Sequence, residues 1–247
     1  MHFSQKVCFV LVAKNEIIGL KKFLPILTKI KNSEIFVIDA STDESKRFLA
    51  NFKKINVFNQ KKNETISMFL PIILKKTKAK YFIFFQPDGN CDIKKIFKFN
   101  KYIKKNYDLI VASRYLKNAV SYDDSIITSA ANFFFTKIIN IFFSNKNFKI
   151  SDGLVGYRAI KIKTIKELNI HLRKNYQFLE KKLRTSLSWD TVMTCKVLCF
   201  RPKGYIEFAC SEPPRIGGVV KRNNLKWGIS YFLQILYILF IEKFDRK

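Results

Sequence analysis

The chain has 247 residues, 48% apolar and 26% charged, enough apolar content for a substantial core and too much for a disordered polymer. Its 46 Lys and Arg against 19 Asp and Glu give a formal charge of +27. That excess fits either an anionic partner, nucleic acid or acidic lipid, or a composition simply rich in Lys, Ile, Phe and Asn. The five cysteines (Cys8, Cys91, Cys195, Cys199, Cys210) are odd in number and scattered, which argues against a disulfide framework and for a reducing compartment. Cys195 and Cys199 read as structural thiols, and with only His2 and His171 available no zinc set forms. The first residues lack a signal-peptide pattern, so a cytoplasmic location is expected.

In chain order, residues 7–13, 34–38, 55–58, 81–85 and 109–112 are short continuous apolar runs, as in strands covered on both faces. Helical patterns occupy 17–30, 43–52, 64–76 and 93–105, with Pro25 and Pro71 expected to kink or shorten two of them. This alternation predicts an α/β domain with a mostly parallel sheet flanked by helices. Ligands of such sheets bind beyond the carboxyl ends of the strands. Asn15 and Glu16 follow the first strand, Asp39 the second and Asp88 the fourth. Any one of them could be a turn former or helix cap, as Asp43 is expected to be. Three acidic residues at three such edges point instead to a site.

Six segments, in order, carry a family pattern: VAKNE (12–16), DASTDES (39–45), QPDGN (86–90), DLIVASRY (108–115), SDGLVGYR (151–158) and EPPRIGG (212–218) followed by Lys221. Together they resemble the family 2 glycosyltransferases of GT-A (Rossmann-like) fold, and among them the polyprenyl-phosphate sugar synthases, over residues 7–221. The resemblance implies an inverting hexosyltransferase of cell envelope glycan biosynthesis. Its donor would be a GDP- or UDP-linked sugar and its acceptor a polyprenyl phosphate or membrane glycolipid. It places Ala13, Asn15, Glu16, Asp39, Asp88 and Arg114 at the donor. It places Asp152, Arg158, Arg215 and Lys221 at the acceptor phosphate. Residues 1–115 then form a nucleotide-sugar half and 116–221 an acceptor half of one domain.

The residue types suit that chemistry. A departing nucleoside diphosphate needs its charge neutralised, and Mg²⁺ or Mn²⁺ does this through hard oxygen ligands. Asp88 supplies a carboxylate; Gln86 stands where the family has the first Asp of its metal motif, and Asn90 adds a second neutral oxygen. Nucleotidyltransferases would instead carry a Gly-rich phosphate loop after the first strand, but AKNE precedes any glycine until Gly19. Arg215, between Pro214 and two glycines, can hold phosphate with a bidentate fork. An ionised lipid phosphate needs no general base, whereas a hydroxyl acceptor needs a carboxylate, Asp190 or Asp152. Asp88, Asp190 and Arg215 are therefore the expected catalytic residues.

Residues 227–241 are uncharged, and 132–143 form a second apolar, Phe-rich stretch broken by Lys137. The first falls short of the roughly 20 residues that span a bilayer. A helix over 222–247 is expected to lie in the membrane interface, with Lys and Arg drawn to anionic headgroups, giving peripheral or monotopic attachment at the cytoplasmic face. Nucleic acid is not expected, because the aromatics fall in apolar runs rather than among the Lys clusters. The rival reading is a non-catalytic basic module on a degenerate transferase fold, binding membrane or nucleic acid, which would have no need of metal.

Overall fold

The computed structural model describes residues 2–62, 64–144, 148–172, 177–183, 188–217 and 224–243. One sheet contains the strands β1 (His2–Ala13), β2 (Lys31–Asp39), β3 (Asn56–Asn59), β4 (Tyr81–Phe85), β5 (Leu109–Ser113), β6 (Arg158–Lys161) and β7 (Tyr205–Ala209). Their order is β3-β2-β1-β4-β6-β5-β7. Pairings are parallel except where β6 runs antiparallel between β4 and β5. The helices are α1 (Ile17–Leu27), α2 (Glu44–Ala50), α3 (Phe69–Lys76), α4 (Lys98–Lys104), α5 (Ile126–Phe143), α6 (Ile162–Glu167), α7 (Gln177–Leu183), α8 (Trp189–Phe200) and α9 (Asn224–Tyr237). A π-helical turn, Ile238–Lys243, continues α9.

The sheet is the GT-A type of mostly parallel α/β sheet expected from the sequence. Its five anticipated strands all form, because runs such as Tyr81–Phe85 have helices to cover them. Strands β6 and β7 were not legible. RAIK is four residues long and opens on an arginine, and YIEFA places Glu207 at its centre. Pro71 falls in the first turn of α3, where its missing N–H costs no intrahelical bond, and a 3₁₀ turn (Ile66–Met68) precedes it.

Register sets the site. Ala13 of β1 stands opposite Asp39 of β2, and Leu11 opposite Phe85 of β4. The chain steps outward from β1 through β2 to β3, then returns to the other side of β1 with β4. The switch point at which such sheets bind ligands is thus between β1 and β4.

The last helix packs against α5, α7 and α8 rather than standing apart from them. Ile235, Ile238 and Leu239 are buried, and the Ser188 N–H donates to the Gln234 amide oxygen at 3.2 Å. Lys196, enclosed on α8, pairs with Glu242 at 2.7 Å. The five cysteines are free; Cys195 is buried and Cys199 half-buried.

Candidate active site

Two loops are tied together beyond β1 and β2. Asn15 adopts a left-handed backbone (φ 58°), its N–H donates to Ser41 Oγ at 2.8 Å, and its side-chain oxygen accepts the Thr42 N–H at 2.8 Å. Asp39 is buried with one carboxylate oxygen accepting the Ser41 N–H at 3.1 Å. Asp43 caps α2 through the Ser45 N–H.

Beyond β4 the turn 86–90 is clamped from two sides. Helix α1 crosses so close that a Cβ on Gly19 would lie 1.5 Å from the Pro87 carbonyl oxygen. On the other side Gly89 has φ 106° and presses on Ile216, whose N–H donates to the Asp88 carbonyl at 2.9 Å. The loop after β7 thereby folds back over the turn. Arg215 donates from Nη2 to Asp88 at 2.9 Å and lies 3.5 Å from Glu16 and 3.9 Å from Asp123. Asn90 donates to the same Asp123 at 2.8 Å.

This placement bears on the expected division of labour. Arg215, expected at the acceptor phosphate, sits against the turn that carries Asp88. Arg158 has no exposed surface: its guanidinium donates to the Val155 and Asp190 carbonyls, both at 2.7 Å, and to Thr194 Oγ1 at 2.8 Å. It also lies 3.4 Å from the Asp190 carboxylate, so it can fix Asp190 but cannot itself touch a phosphate. Asp152 is fully enclosed and bound to Arg114 at 2.8 and 3.1 Å, which removes it as an acceptor base or phosphate contact. Lys221 lies outside the described residues.

Arg114 is the hub of a second charged cluster. Besides Asp152 it donates to Asp124 and Glu212, each at 3.2 Å, and Tyr115 and Ser121 hydrogen-bond those two acids. Burial works against the Arg114 charge, but the surrounding carboxylates outweigh it and hold the guanidinium firmly protonated. Burial also pushes the Glu212 carboxyl up, with Arg114 pulling the other way. Arg114 is thus committed to carboxylates rather than open to a donor. The adjacent acids Asp123 and Asp124 divide between the clusters, Asp123 to Arg215 and Asp124 to Arg114. Neither was anticipated from the sequence.

A cavity of about 350 Å³ opens at the switch point. Its floor is Val10, Val12 and Phe84 of the sheet; its walls include Lys14, Glu16, Gln86, Asp88, Arg215, Trp189 and Asp190, and α9 adds Trp227 and Tyr231. The three expected catalytic residues therefore share one cavity. Gln86 lies against Gly156, where a Cβ would come within 2.7 Å of its amide nitrogen. Ala13 is buried, and Asp39 and Asn15 line a neighbouring edge rather than the cavity itself.

Among the described residues no group of three or more His, Cys, Asp or Glu side chains is placed to hold a metal ion by itself. The donor set nonetheless suits a hard cation shared with a ligand's phosphates. Asp88, Glu16 and Asp123 surround a single guanidinium, and the buried Asn90 side-chain oxygen beside them has no hydrogen-bond partner. Gln86 and Asn90 can add only neutral oxygens.

A mostly parallel α/β sheet with a cavity of carboxylates at its switch point is the arrangement of a GT-A fold. The sequence profile described as Glycosyl transferase family 2 matches residues 8–167, well over half of the chain, and the chain belongs to that family. It is a glycosyltransferase that uses a nucleotide sugar. In structure it is similar to glucosyl-3-phosphoglycerate synthase from Mycobacterium tuberculosis, solved with Mn²⁺, UDP and glucosyl-3-phosphoglycerate. That likeness has a TM-score of 0.62 at 13% identity and covers 96% of this chain and 79% of that one. It is also similar to S. aureus TarS 1–349, with a TM-score of 0.57 at 12% identity over 98% of this chain and 68% of that one. No curated protein matches it in sequence.

Proposed function

We propose that the protein moves a hexose from a GDP- or UDP-sugar to a polyprenyl phosphate or membrane glycolipid at the cytoplasmic face of a membrane, with inversion and with metal assistance. The observation that carries this reading is the meeting of Asp88, Asp190 and Arg215 in one cavity beside Glu16. The Mn²⁺ and UDP of the mycobacterial synthase add support for a cation and a nucleoside diphosphate.

In this reading Asp39 and Glu16 hold the nucleoside at the ends of β2 and β1, and Asp88, with Asn90 and Gln86 as neutral oxygens, would hold Mg²⁺ or Mn²⁺. The cation's chemistry is to neutralise charge developing on the departing diphosphate. Arg215 faces the same diphosphate and adds a fixed positive charge to it. Asp190, held by Arg158, lies across the cavity, where it can take the proton of a hydroxyl acceptor. A single displacement from the side opposite the diphosphate inverts the anomeric centre. Trp189, Trp227 and Tyr231 supply apolar and stacking surface toward the acceptor end.

Initial-rate assays with UDP- and GDP-hexoses against undecaprenyl phosphate and a glycolipid, for wild type and Asp190→Asn, test the reading. Loss of transfer to the hydroxyl acceptor with retention on the phosphate assigns Asp190 as the base. Absence of transfer from either donor to either acceptor overturns the proposal.

A further inference from the structure

Helix α5 is apolar on both faces. Its inward face buries Phe135, Ile139 and Phe143 and also carries Asn132, Thr136 and Asn140 at a spacing of four, each hydrogen-bonded to the segment that contains Asp152. Asn132 donates to the Asp152 carboxylate at 3.2 Å, and Thr136 Oγ1 accepts the Gly153 N–H at 3.0 Å. Asn140 exchanges two bonds with the Ile150 backbone, at 2.8 and 2.9 Å. The outward face is apolar: Ile126 is 90% exposed, Phe133 70% and Ile141 65%, with Ile127, Phe134 and Phe142 beside them. Contiguous apolar surface of this kind marks an interaction site.

We infer that the outward face of α5 lies flat in the interface of an anionic bilayer and is the protein's membrane contact. The inference rests on the membrane reading of the function and moves the main contact to α5 from α9, which buries Ile235 against the domain while Ile229 and Phe232 stay partly exposed. Length and composition alone would let the 18 residues of α5 cross a bilayer. Crossing would strip Asn132, Thr136 and Asn140 of their partners and leave them in hydrocarbon, so the helix lies in the plane instead. Charge selects the occupant. Residues 125–151 contain Lys137, Lys146 and Lys149 and no Asp or Glu. Lys137 stands in the middle of the apolar face, where its stem can lie along lipid and its ammonium reach headgroups. Lys243 joins the end of the helix, donating to the Phe142 carbonyl and lying 5.5 Å from the centre of the Phe143 ring. Tyr122, exposed just ahead of α5, is a residue type suited to the interface. The geometry also ties lipid contact to the site, since Asp123 and Asp124 immediately precede α5 and Asn132 holds Asp152 of the Arg114 cluster.

Co-sedimentation of the full chain with phosphatidylcholine vesicles, with and without phosphatidylglycerol, tests this. It should be run for wild type, Phe133→Ser/Phe134→Ser, and Phe240→Ser/Ile241→Ser beyond α9. Light scattering without lipid gives the oligomeric state, and melting temperature serves as the folding control. Wild type should be a monomer without lipid and should bind the vesicles that contain phosphatidylglycerol. The α5 variant should lose affinity about a hundredfold, tenfold for each phenyl ring withdrawn from lipid, while the variant beyond α9 keeps it. Equal binding by wild type and the α5 variant overturns the inference and leaves membrane attachment standing through another surface. No vesicle binding by wild type overturns both. A wild-type dimer that the α5 variant dissolves without loss of vesicle binding assigns the face to a second copy of the chain and overturns the inference.

Discussion

The guanidinium of Arg215 lies 2.9 Å from the carboxylate of Asp88, so a residue beyond the last strand closes onto the turn that follows the fourth. Glu16 and Asp123 flank the same guanidinium at 3.5 and 3.9 Å. Arg215 is thus the counterion of three carboxylates that would otherwise repel one another, and it stands where a divalent cation would be drawn. Arg215→Ala should therefore raise the affinity for Mn²⁺ alone by about tenfold, roughly 1.4 kcal/mol. Arg215→Lys should fall between, since a point charge keeps the repulsion but not the fork. Calorimetric titration of the nucleotide-free protein gives the values. Unchanged or weaker Mn²⁺ binding by the alanine variant contradicts the counterion role.

Gly19 concerns the same turn from its other side. A methyl group there meets the Pro87 backbone carbonyl, which cannot rotate away as a side chain could. Gly19→Ala should cost about 1–3 kcal/mol of stability as an overpacked contact. Because Pro87 is bonded to Asp88, the variant should also bind nucleoside diphosphate more weakly. Urea unfolding and nucleotide titration measure the two effects, and a variant equal to wild type in both would show that α1 does not set the turn.

Arg158 should behave as a buried structural ion and not as a ligand contact. Arg158→Met removes the donor to the Val155 carbonyl, one of the donors to the Asp190 carbonyl and the cation beside the Asp190 carboxylate. A loss of about 3–5 kcal/mol is expected, the range for breaking a buried charged contact. Urea unfolding reads it. A variant as stable as wild type with impaired acceptor kinetics would return Arg158 to the acceptor site.

The pair Lys196–Glu242 fastens the chain beyond α9 to α8. Glu242→Ala should destabilise by about 3–5 kcal/mol, because Lys196 is enclosed and loses a carboxylate whose charge the neutral Leu168 and Asn169 carbonyls do not replace. The cavity should feel it too, since Trp227 and Tyr231 line it from α9. Tryptophan fluorescence and urea unfolding follow both changes; no change in either would mean that α9 docks independently of this pair.

The parallel half of the sheet was legible because continuous apolar runs between helical intervals admit few other arrangements. The strand-end rule then located Glu16, Asp39 and Asp88 without a structure. Reading failed where side chains meet across the fold. Arg158 and Asp152 looked like phosphate and acceptor groups because sequence shows charge but not enclosure. Asp123, Asp124 and Glu212 were missed because they become a site only when the loops after β5 and β7 converge on the turn after β4. The apolar segment 227–241 suggested lipid; in the fold its Ser230, Gln234 and Ile235 face inward while Ile229, Phe232, Phe240 and Ile241 stay exposed, a division that the uniform apolar run did not show. For α5 the run 132–143 looked apolar all round, and which of its phenylalanines turn inward (Phe135, Phe143) or outward (Phe133, Phe134) depends on the contacts of Asn132 and Thr136 with the Asp152 segment.

The central claim is that a nucleoside diphosphate binds at the Asp88 turn with a divalent cation. Calorimetric titration of UDP and GDP, with and without Mn²⁺, into wild type and Asp88→Asn tests it most directly. One of the two nucleotides should bind wild type with Mn²⁺ at least about tenfold more tightly than without it. Asp88→Asn should lose that metal-dependent gain while melting as a folded protein. Equal, metal-independent binding by both proteins, or no binding of either nucleotide to wild type, would contradict the account.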